Sequence, residues 1–121
     1  MPTRLEYIQA YAKGWTEGDA KAILAACSPN YLLDDPHERH PVQRHRFEAY
    51  FAKLVKEVSR TKLDQPFMEI TDVLLNADHS LVSAWWMILG TEVEGSGLIV
   101  VSDQGVESEK LAYYEHHDRR D

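Results

Sequence analysis

The segment Tyr31-Leu32-Leu33-Asp34-Asp35-Pro36 ends a short apolar run with two carboxylates and a proline. A carboxylate at the margin of a core can act as a general base near neutral pH, because desolvation makes it hold a proton more readily. The ordinary alternative is a turn that follows a strand, since Asp and Pro are both common turn residues. The sequence on either side of the segment indicates which fold would place these carboxylates.

Two helices are predicted before this segment. A capping box, Thr3-Arg4-Leu5-Glu6, starts the first helix, which is expected to run to about Gly14 or beyond. Its apolar residues recur at helical spacing, at Leu5, Ile8, Ala12 and Trp15. Asp19 is predicted to cap a second, shorter helix over residues 20–27, which Pro29 would end because proline disfavours helix in the residue before it. A brief strand over Tyr31–Leu33 follows.

The third predicted helix has the clearest pattern in the chain. Its apolar residues recur at i, i+3, i+4, i+7, i+8 and i+11, at Phe47, Tyr50, Phe51, Leu54, Val55 and Val58. After Pro66, four strands are predicted over 67–75, 81–89, 98–102 and 106–114, separated by turn residues at 76–78, 94–97 and 103–105. Three helices followed by consecutive antiparallel strands predict one α+β domain over residues 1–121, in which a curved sheet packs on the helices.

Composition excludes several classes of partner. The chain has 20 acidic and 13 basic residues and no Lys/Arg stripe, so nucleic acid is not an expected partner. No apolar run approaches the roughly 20 residues that span a bilayer, and no signal peptide follows Met1, so no membrane association and a cytoplasmic location are expected. Cys27 is the one cysteine, and its place after two alanines suggests a small buried residue rather than a nucleophile.

The order of these elements resembles the NTF2-like superfamily, and within it the SnoaL-like polyketide cyclases and ketosteroid isomerases. The resemblance spans almost the whole chain, with Gly18-Asp19 between the first two helices and Asp34-Asp35-Pro36 after the first strand. Its strand-end pattern comprises Trp86, Gly90-Thr91, Gly95, Gly97, Gly105, Glu109 and Tyr113-Tyr114. The resemblance implies a cone, in which a strongly curved antiparallel sheet packs on three N-terminal helices around an apolar pocket. It also implies a homodimer, because many members pair through the outer sheet face.

The isomerase pattern implies three catalytic residues. Tyr11, in Gln9-Ala10-Tyr11, resembles the tyrosine that donates to the substrate oxyanion. Asp35, directly before Pro36, matches the aspartate that moves the proton, and Tyr50 matches a tyrosine that supports the oxyanion donor. The second acid of the isomerases has no counterpart on the strand expected at 97–101, which has no carboxylate. The aromatic residues expected to bind substrate are Trp15, Tyr31, Phe51, Trp86 and Tyr114.

These residues suggest proton abstraction next to a carbonyl. Asp35 would take a carbon-bound proton while the Tyr11 hydroxyl donates to the enolate oxygen. The expected function is a cofactor-independent isomerase, cyclase or dehydratase that acts on a small apolar ketone or polyketide-like molecule. Two alternatives are a noncatalytic module that binds a ligand or dimerises, and an epoxide hydrolase-like enzyme whose carboxylates activate water.

A metal site is the main rival at the same loop, because Asp35, His37, His40 and His45 are all ligand types. Their spacing matches no strong zinc pattern, so no metal is expected and the histidines are predicted to lie at the pocket mouth.

For two strands, the alternation of side chains shows which residues share a sheet face but not which face is the inner one. Trp85 and Trp86 must point to opposite sheet faces, and the resemblance favours Trp86 as the inward residue. In the last strand Glu109, Leu111 and Tyr113 share one face, and Lys110, Ala112 and Tyr114 share the other. Glu109 or Lys110 could supply a polar group to the pocket, but a solvated edge is the favoured interpretation for both.

Overall fold

The structure is a computed structural model, and it describes residues 1–58 and 66–115. Its elements are helix α1 (Arg4–Glu17), helix α2 (Ala20–Ala25), strand β1 (Cys27–Asp34), strand β2 (Val42–Gln43), a 3₁₀ turn (Arg44–Arg46), helix α3 (Phe47–Glu57), and strands β3 (Met68–Leu75), β4 (Leu81–Ile88), β5 (Glu94–Ser102) and β6 (Gly105–Tyr113). The strands form one sheet in the order β2-β1-β6-β5-β4-β3, and α1 packs on β3, β5 and β6. Within the two described ranges, no helix has the length and apolar character needed to cross a bilayer.

Helix α1 confirms the first predicted helix. Thr3 Oγ1 accepts a hydrogen bond from the Glu6 amide at 3.1 Å, and Glu6 Oε1 accepts one from the Thr3 amide at 2.9 Å, which completes the capping box. Gly18 ends the helix with a φ of 70°, a left-handed conformation that glycine adopts without a steric penalty. The buried face of α1 carries Tyr11 and Trp15 toward the sheet.

The second predicted helix is shorter than expected, and β1 is longer. Helix α2 ends at Ala25, and Pro29 lies inside β1 rather than after the helix. Val106 donates its amide to the Ala26 carbonyl at 2.9 Å, so the chain has already joined the sheet there. Pro29 is tolerated because the register of β1 with β6 shifts between Cys27 and Leu32, and such irregularities are where strands accept proline.

The sheet is mixed, which corrects the expected all-antiparallel arrangement. Strand β1 pairs with β6 in parallel, with Leu33 opposite Glu109, and the other strand pairs are antiparallel. Parallel strands need a long crossover connection, and the chain between β1 and β6, which includes α3, supplies one.

The predicted turn over residues 94–97 is wrong, because these residues begin β5. Gly95 pairs with Trp86 and Gly97 with Ala84 across the β4–β5 ladder. The chain turns earlier, where the Ile88 amide donates to the Val93 carbonyl at 2.9 Å.

Helix α3 confirms the third predicted helix and closes an aromatic core. The Trp15 ring lies 5.8 Å from Phe47 and 5.5 Å from Phe51, between ring centroids. These separations are in the range of favourable aromatic pairs. The core therefore fixes α1 against α3 and holds both helices over the sheet.

Candidate active site

An apolar cavity lies between helices α1 and α3 and strands β3 to β6. Its volume, counted as the space that the centres of water molecules can occupy, is about 60 Å³. A single water needs only about 15 Å³ by this measure, so the cavity can hold a small organic molecule. Aliphatic residues that line it include Ile8, Met68, Val82, Ile88, Ile99 and Leu111. The lining residues also include four that carry a hydroxyl or a carboxyl group, namely Tyr11, Tyr50, Glu109 and Tyr113, although the wall itself is almost wholly apolar.

The first polar group, the Glu109 group, consists of Glu109, Tyr11 and Tyr31. Tyr11 Oη donates to Glu109 Oε1 at 2.5 Å and lies 2.6 Å from Tyr31 Oη. A tyrosine hydroxyl has one proton, so Tyr31 donates to Tyr11 while Tyr11 donates to Glu109. No residue in the described part of the chain donates a hydrogen bond to Glu109 Oε2. Oε2 can therefore accept a proton, and the Glu109 side chain is among those that line the cavity.

Burial makes Glu109 a carboxyl that titrates near neutral pH. Only 6% of Glu109 is exposed, and desolvation raises its pKa from 4.5 to about 7, although the Tyr11 hydrogen bond acts in the opposite direction. Burial and the Glu109 charge raise the pKa of the Tyr11 and Tyr31 hydroxyls, so both remain protonated donors. A general base with a pKa near the working pH is well matched to proton transfer.

Gly97 has no side chain, and the Glu109 carboxyl occupies the space where a Cβ atom would lie. A Cβ atom at position 97 would lie 2.0 Å from Glu109 Oε2 and 3.1 Å from its carboxyl carbon. Ordinary van der Waals contact begins near 3.4 Å, so an alanine at position 97 cannot coexist with this rotamer. The glycine that the sequence pattern assigned to a turn therefore admits a buried carboxylate from the neighbouring strand.

The second polar group, the Asp35 group, consists of Asp35, Tyr50, Tyr113 and His37. Asp35 Oδ2 accepts hydrogen bonds from Tyr50 Oη at 2.5 Å and Tyr113 Oη at 2.9 Å. Asp35 Oδ1 accepts the His37 amide at 2.9 Å and lies 3.4 Å from His37 Nδ1. Asp35 is 3% exposed, and it lies behind the two tyrosines rather than on the cavity wall.

The tyrosines of the Asp35 group keep their protons. Burial, with the hydrogen bond to Asp35, raises the pKa of Tyr50, and burial, with the Asp35 charge, raises that of Tyr113. The His37 ring contacts the Tyr113 ring at a centroid distance of 4.3 Å, and 69% of the His37 side chain is exposed. The Asp35 group therefore stands at an end of the cavity that is close to solvent.

Half of the eight residues that the sequence predicts for the site line the cavity. Tyr11, Trp15, Tyr50 and Trp86 line the cavity. Tyr31 lies one layer behind Tyr11, and Phe51 packs in the core between Trp15 and Phe67. Tyr114 lies on the opposite sheet face, where its ring is 6.0 Å from that of Trp85. Trp86 is the inward tryptophan, with 5% of its surface exposed.

Two expectations about polar residues need correction. The Tyr11 hydroxyl is supported by Tyr31 rather than by Tyr50, because β1 carries Tyr31 beside α1 while the Tyr50 hydroxyl is bonded to Asp35. Glu109 is buried on the cavity wall rather than solvated at an edge, because β6 has neighbours on both sides in the sheet. The alternation of Glu109, Leu111 and Tyr113 was the signal that could have identified it.

Cys27, His40 and His45 take no part in either polar group. Burial raises the pKa of the Cys27 thiol to about 12, and its Sγ donates to the Ile23 carbonyl at 3.2 Å. His40 and His45 are exposed. Across residues 1–58 and 66–115, no three His, Cys, Asp or Glu side chains cluster as metal ligands would.

No profile of a known protein family matches this sequence, and no curated protein matches it. Several solved structures are similar. A "putative polyketide cyclase" from Pseudomonas putida KT2440 matches with a TM-score of 0.66 and 20% identity, over 94% of this chain and 93% of that one. An NTF2-like protein of unknown function from Burkholderia xenovorans LB400 matches with a TM-score of 0.72 and 12% identity, over 97% of this chain and 87% of that one.

These similarities confirm the predicted α+β cone, and the chain has the NTF2-like fold. A third similar structure is also described as a "putative polyketide cyclase" and comes from Sinorhizobium meliloti. It matches with a TM-score of 0.66 and 12% identity, over 93% of this chain and 95% of that one. At such identities the likeness concerns the fold, and function has to be argued from the site.

Proposed function

We propose that this protein is a cofactor-independent enzyme that abstracts a proton next to the carbonyl of a small apolar ketone or polyketide-like molecule. Isomerisation, aldol cyclisation and dehydration all begin with this step. The observation that supports it is a carboxyl group in an apolar cavity whose pKa is about 7, with one oxygen bonded by Tyr11 and the other without a donor in the described chain. Such a perturbed carboxyl in a pocket is typical of a functional site.

In the proposed step, the carboxylate of Glu109 removes a proton from the carbon next to the substrate carbonyl. The carbon–hydrogen bond breaks, the proton goes to Glu109 Oε2, and the electron pair forms an enolate whose charge resides on the former carbonyl oxygen. Glu109 becomes neutral, so it no longer competes for the Tyr11 proton. The Tyr11 hydroxyl can then donate to the enolate oxygen, and Tyr31 continues to donate to Tyr11.

This proposal keeps Tyr11 as the oxyanion donor and makes Glu109 the first candidate for the base. The assignment of Asp35 as the base stays a prediction. Its carboxylate accepts hydrogen bonds from Tyr50 and Tyr113 and does not line the cavity, so we propose that Tyr50 forms part of the substrate-binding wall and that Asp35 positions its hydroxyl. Trp15 and Trp86 would pack against the apolar part of the substrate.

The test is proton NMR in deuterium oxide on a panel of enolisable ketones and enones. We expect enzyme-dependent exchange at the carbon next to the carbonyl. Its kcat/KM should rise about tenfold per pH unit below pH 7 and level off above, because the base must be ionised and the pKa of Glu109 is about 7.

Two outcomes would contradict this proposal in different ways. A rate that falls above pH 7 would mean that Glu109 acts in its protonated form as a donor, which would favour Asp35 as the base. Ligand binding without exchange for any compound in the panel would favour the noncatalytic binding module.

We also propose that the protein forms a homodimer through the outer face of β4 and β5. Leu81 and Val100 are paired there and are 40% and 41% exposed, and Leu98 is 45% exposed on the same face. Contiguous apolar residues on a sheet face usually mark a contact site. Static light scattering should give the mass of a dimer, and Leu98→Glu should give a monomer, whereas a monomeric wild type would rule this interface out.

A further inference from the structure

The hydroxyl protons of Tyr50 and Tyr113 are both committed to the Asp35 group. A carboxylate only accepts hydrogen bonds, so the contacts of Asp35 Oδ2 at 2.5 Å and 2.9 Å must each use a tyrosine proton. Each hydroxyl has only one proton, and the two tyrosines have no second one for the cavity. A ligand that contacts these hydroxyls must therefore use their oxygen lone pairs, which are backed by the negative charge of Asp35.

We infer that this end of the cavity is a subsite for a hydrogen-bond donor, and that the ligand places a hydroxyl group against the oxygens of Tyr50 and Tyr113. The inference rests on the proposed use of the cavity as the substrate site, but not on the proposed chemistry. A ketone or ether oxygen at this position would face two acceptors and lose the hydrogen bonds that water gives it, which carries a penalty.

The donor is a neutral hydroxyl rather than an ammonium group. Apart from Glu109, which is distant from this end, the rest of the wall consists of aliphatic and aromatic side chains, and moving a cation into such surroundings has a large desolvation cost. A hydroxyl gains the same two acceptors at a much smaller cost.

The register of β6 separates this subsite from Glu109. Glu109 and Tyr113 share the inward face of β6 with Leu111 between them, so their Cα atoms are about 13 Å apart. A ligand that reaches both ends would carry its carbonyl near Glu109 and its hydroxyl near Tyr113, with an apolar body against Leu111. The substrate class is thus an uncharged hydroxylated ketone, such as an aromatic ketone with a distant phenol.

The test compares 4-hydroxyacetophenone, 4-methoxyacetophenone and acetophenone by NMR titration. We expect the hydroxylated compound to bind wild type about tenfold more tightly than either of the others, because one well-formed hydrogen bond contributes about this much to affinity. Equal affinities, tighter binding of the methoxy compound, or no binding of any compound at their solubility limits would overturn the inference.

Asp35→Asn should remove this preference, to within about twofold. An asparagine amide can donate to the tyrosine oxygens, and the tyrosine protons are then free to turn toward the cavity. Asp34→Asn is the matched control, because Asp34 is the exposed neighbour of Asp35, and it should keep the wild-type preference. A preference that survives in Asp35→Asn would overturn the inference.

The ultraviolet spectrum of bound 4-hydroxyacetophenone is a second readout that needs only the wild-type protein. A donor subsite beside Asp35 should bind the neutral phenol and lose affinity once the phenol ionises. A bound phenolate would overturn the inference, because it would show donors rather than acceptors at this position. Tighter binding of 4-hydroxyacetophenone without any exchange of carbon-bound protons would support the subsite and contradict the proposed enzyme activity.

Discussion

Glu109→Gln is expected to reduce the rate of carbon-bound proton exchange by about 10² to 10⁴-fold, the usual contribution of a general base. Glutamine has the shape of glutamate and can still accept the Tyr11 hydrogen bond, but it cannot take a proton from carbon. Asp35→Asn should have a much smaller effect on the rate, because Asp35 does not line the cavity. The measurement is exchange in deuterium oxide at pH 8 with the most active ketone of the panel.

Asp34→Asn serves as the control for the same chemical change at an exposed position. If Asp35→Asn abolishes exchange and Glu109→Gln does not, the base is Asp35 and the role assigned to Glu109 is wrong.

The folded state of Glu109→Gln can be verified through its stability, which should change with pH in a defined direction. The pKa of Glu109 is raised in the fold, so its contribution to stability is present below pH 4.5 and is lost as the pH rises to about 7. Glutamine does not titrate, so the free energy of unfolding of the variant relative to wild type should grow by about 3 kcal/mol between pH 4 and pH 8. Urea denaturation at the two pH values measures this difference.

Gly97→Ala is expected to lower the free energy of unfolding by about 1 to 3 kcal/mol, the range for overpacked cores, and to impair exchange at the same time. The new Cβ would lie 2.0 Å from Glu109 Oε2, so the carboxyl must leave its position on the cavity wall. Because alanine is otherwise acceptable in a strand, the effect should come from this contact. Urea denaturation and the exchange assay measure the two consequences.

A double-mutant cycle isolates the contact between positions 97 and 109. In a Glu109→Ala background the carboxyl is absent, so Gly97→Ala should cost little, and the coupling free energy should be about 1 to 3 kcal/mol. Equal destabilisation by Gly97→Ala in both backgrounds would show that the glycine is required for another reason, such as backbone packing.

The helices of this protein could be predicted because their signals are local. The capping box at Thr3 and Glu6 is satisfied within a single turn, and the apolar spacing from Phe47 onward shows which face of α3 is buried. The resemblance also named Tyr11 and Trp86 among the site residues, and both line the cavity. Both conclusions depend on short-range pattern or on the order of elements.

The site was less predictable because it depends on contacts between distant strands. Asp35 was the evident carboxylate in the sequence, yet it lies behind Tyr50 and Tyr113. Glu109 resembled an edge residue until β6 was placed between β1 and β5. Neither placement follows from spacing within one element, because burial of a strand residue depends on its neighbours in the sheet.

By itself, then, the sequence determined the helices, the α+β class and which residues of the last strand share a face, since hydrogen bonds within a turn and side-chain periodicity are encoded over a few residues. Only the tertiary structure decided that Glu109 faces Gly97 and Tyr11, and that Asp35 holds two tyrosine protons. The reason is physical: the charge and hydrogen-bond direction of a buried carboxyl are set by the groups packed around it, and here these come from α1, α3, β5 and β6.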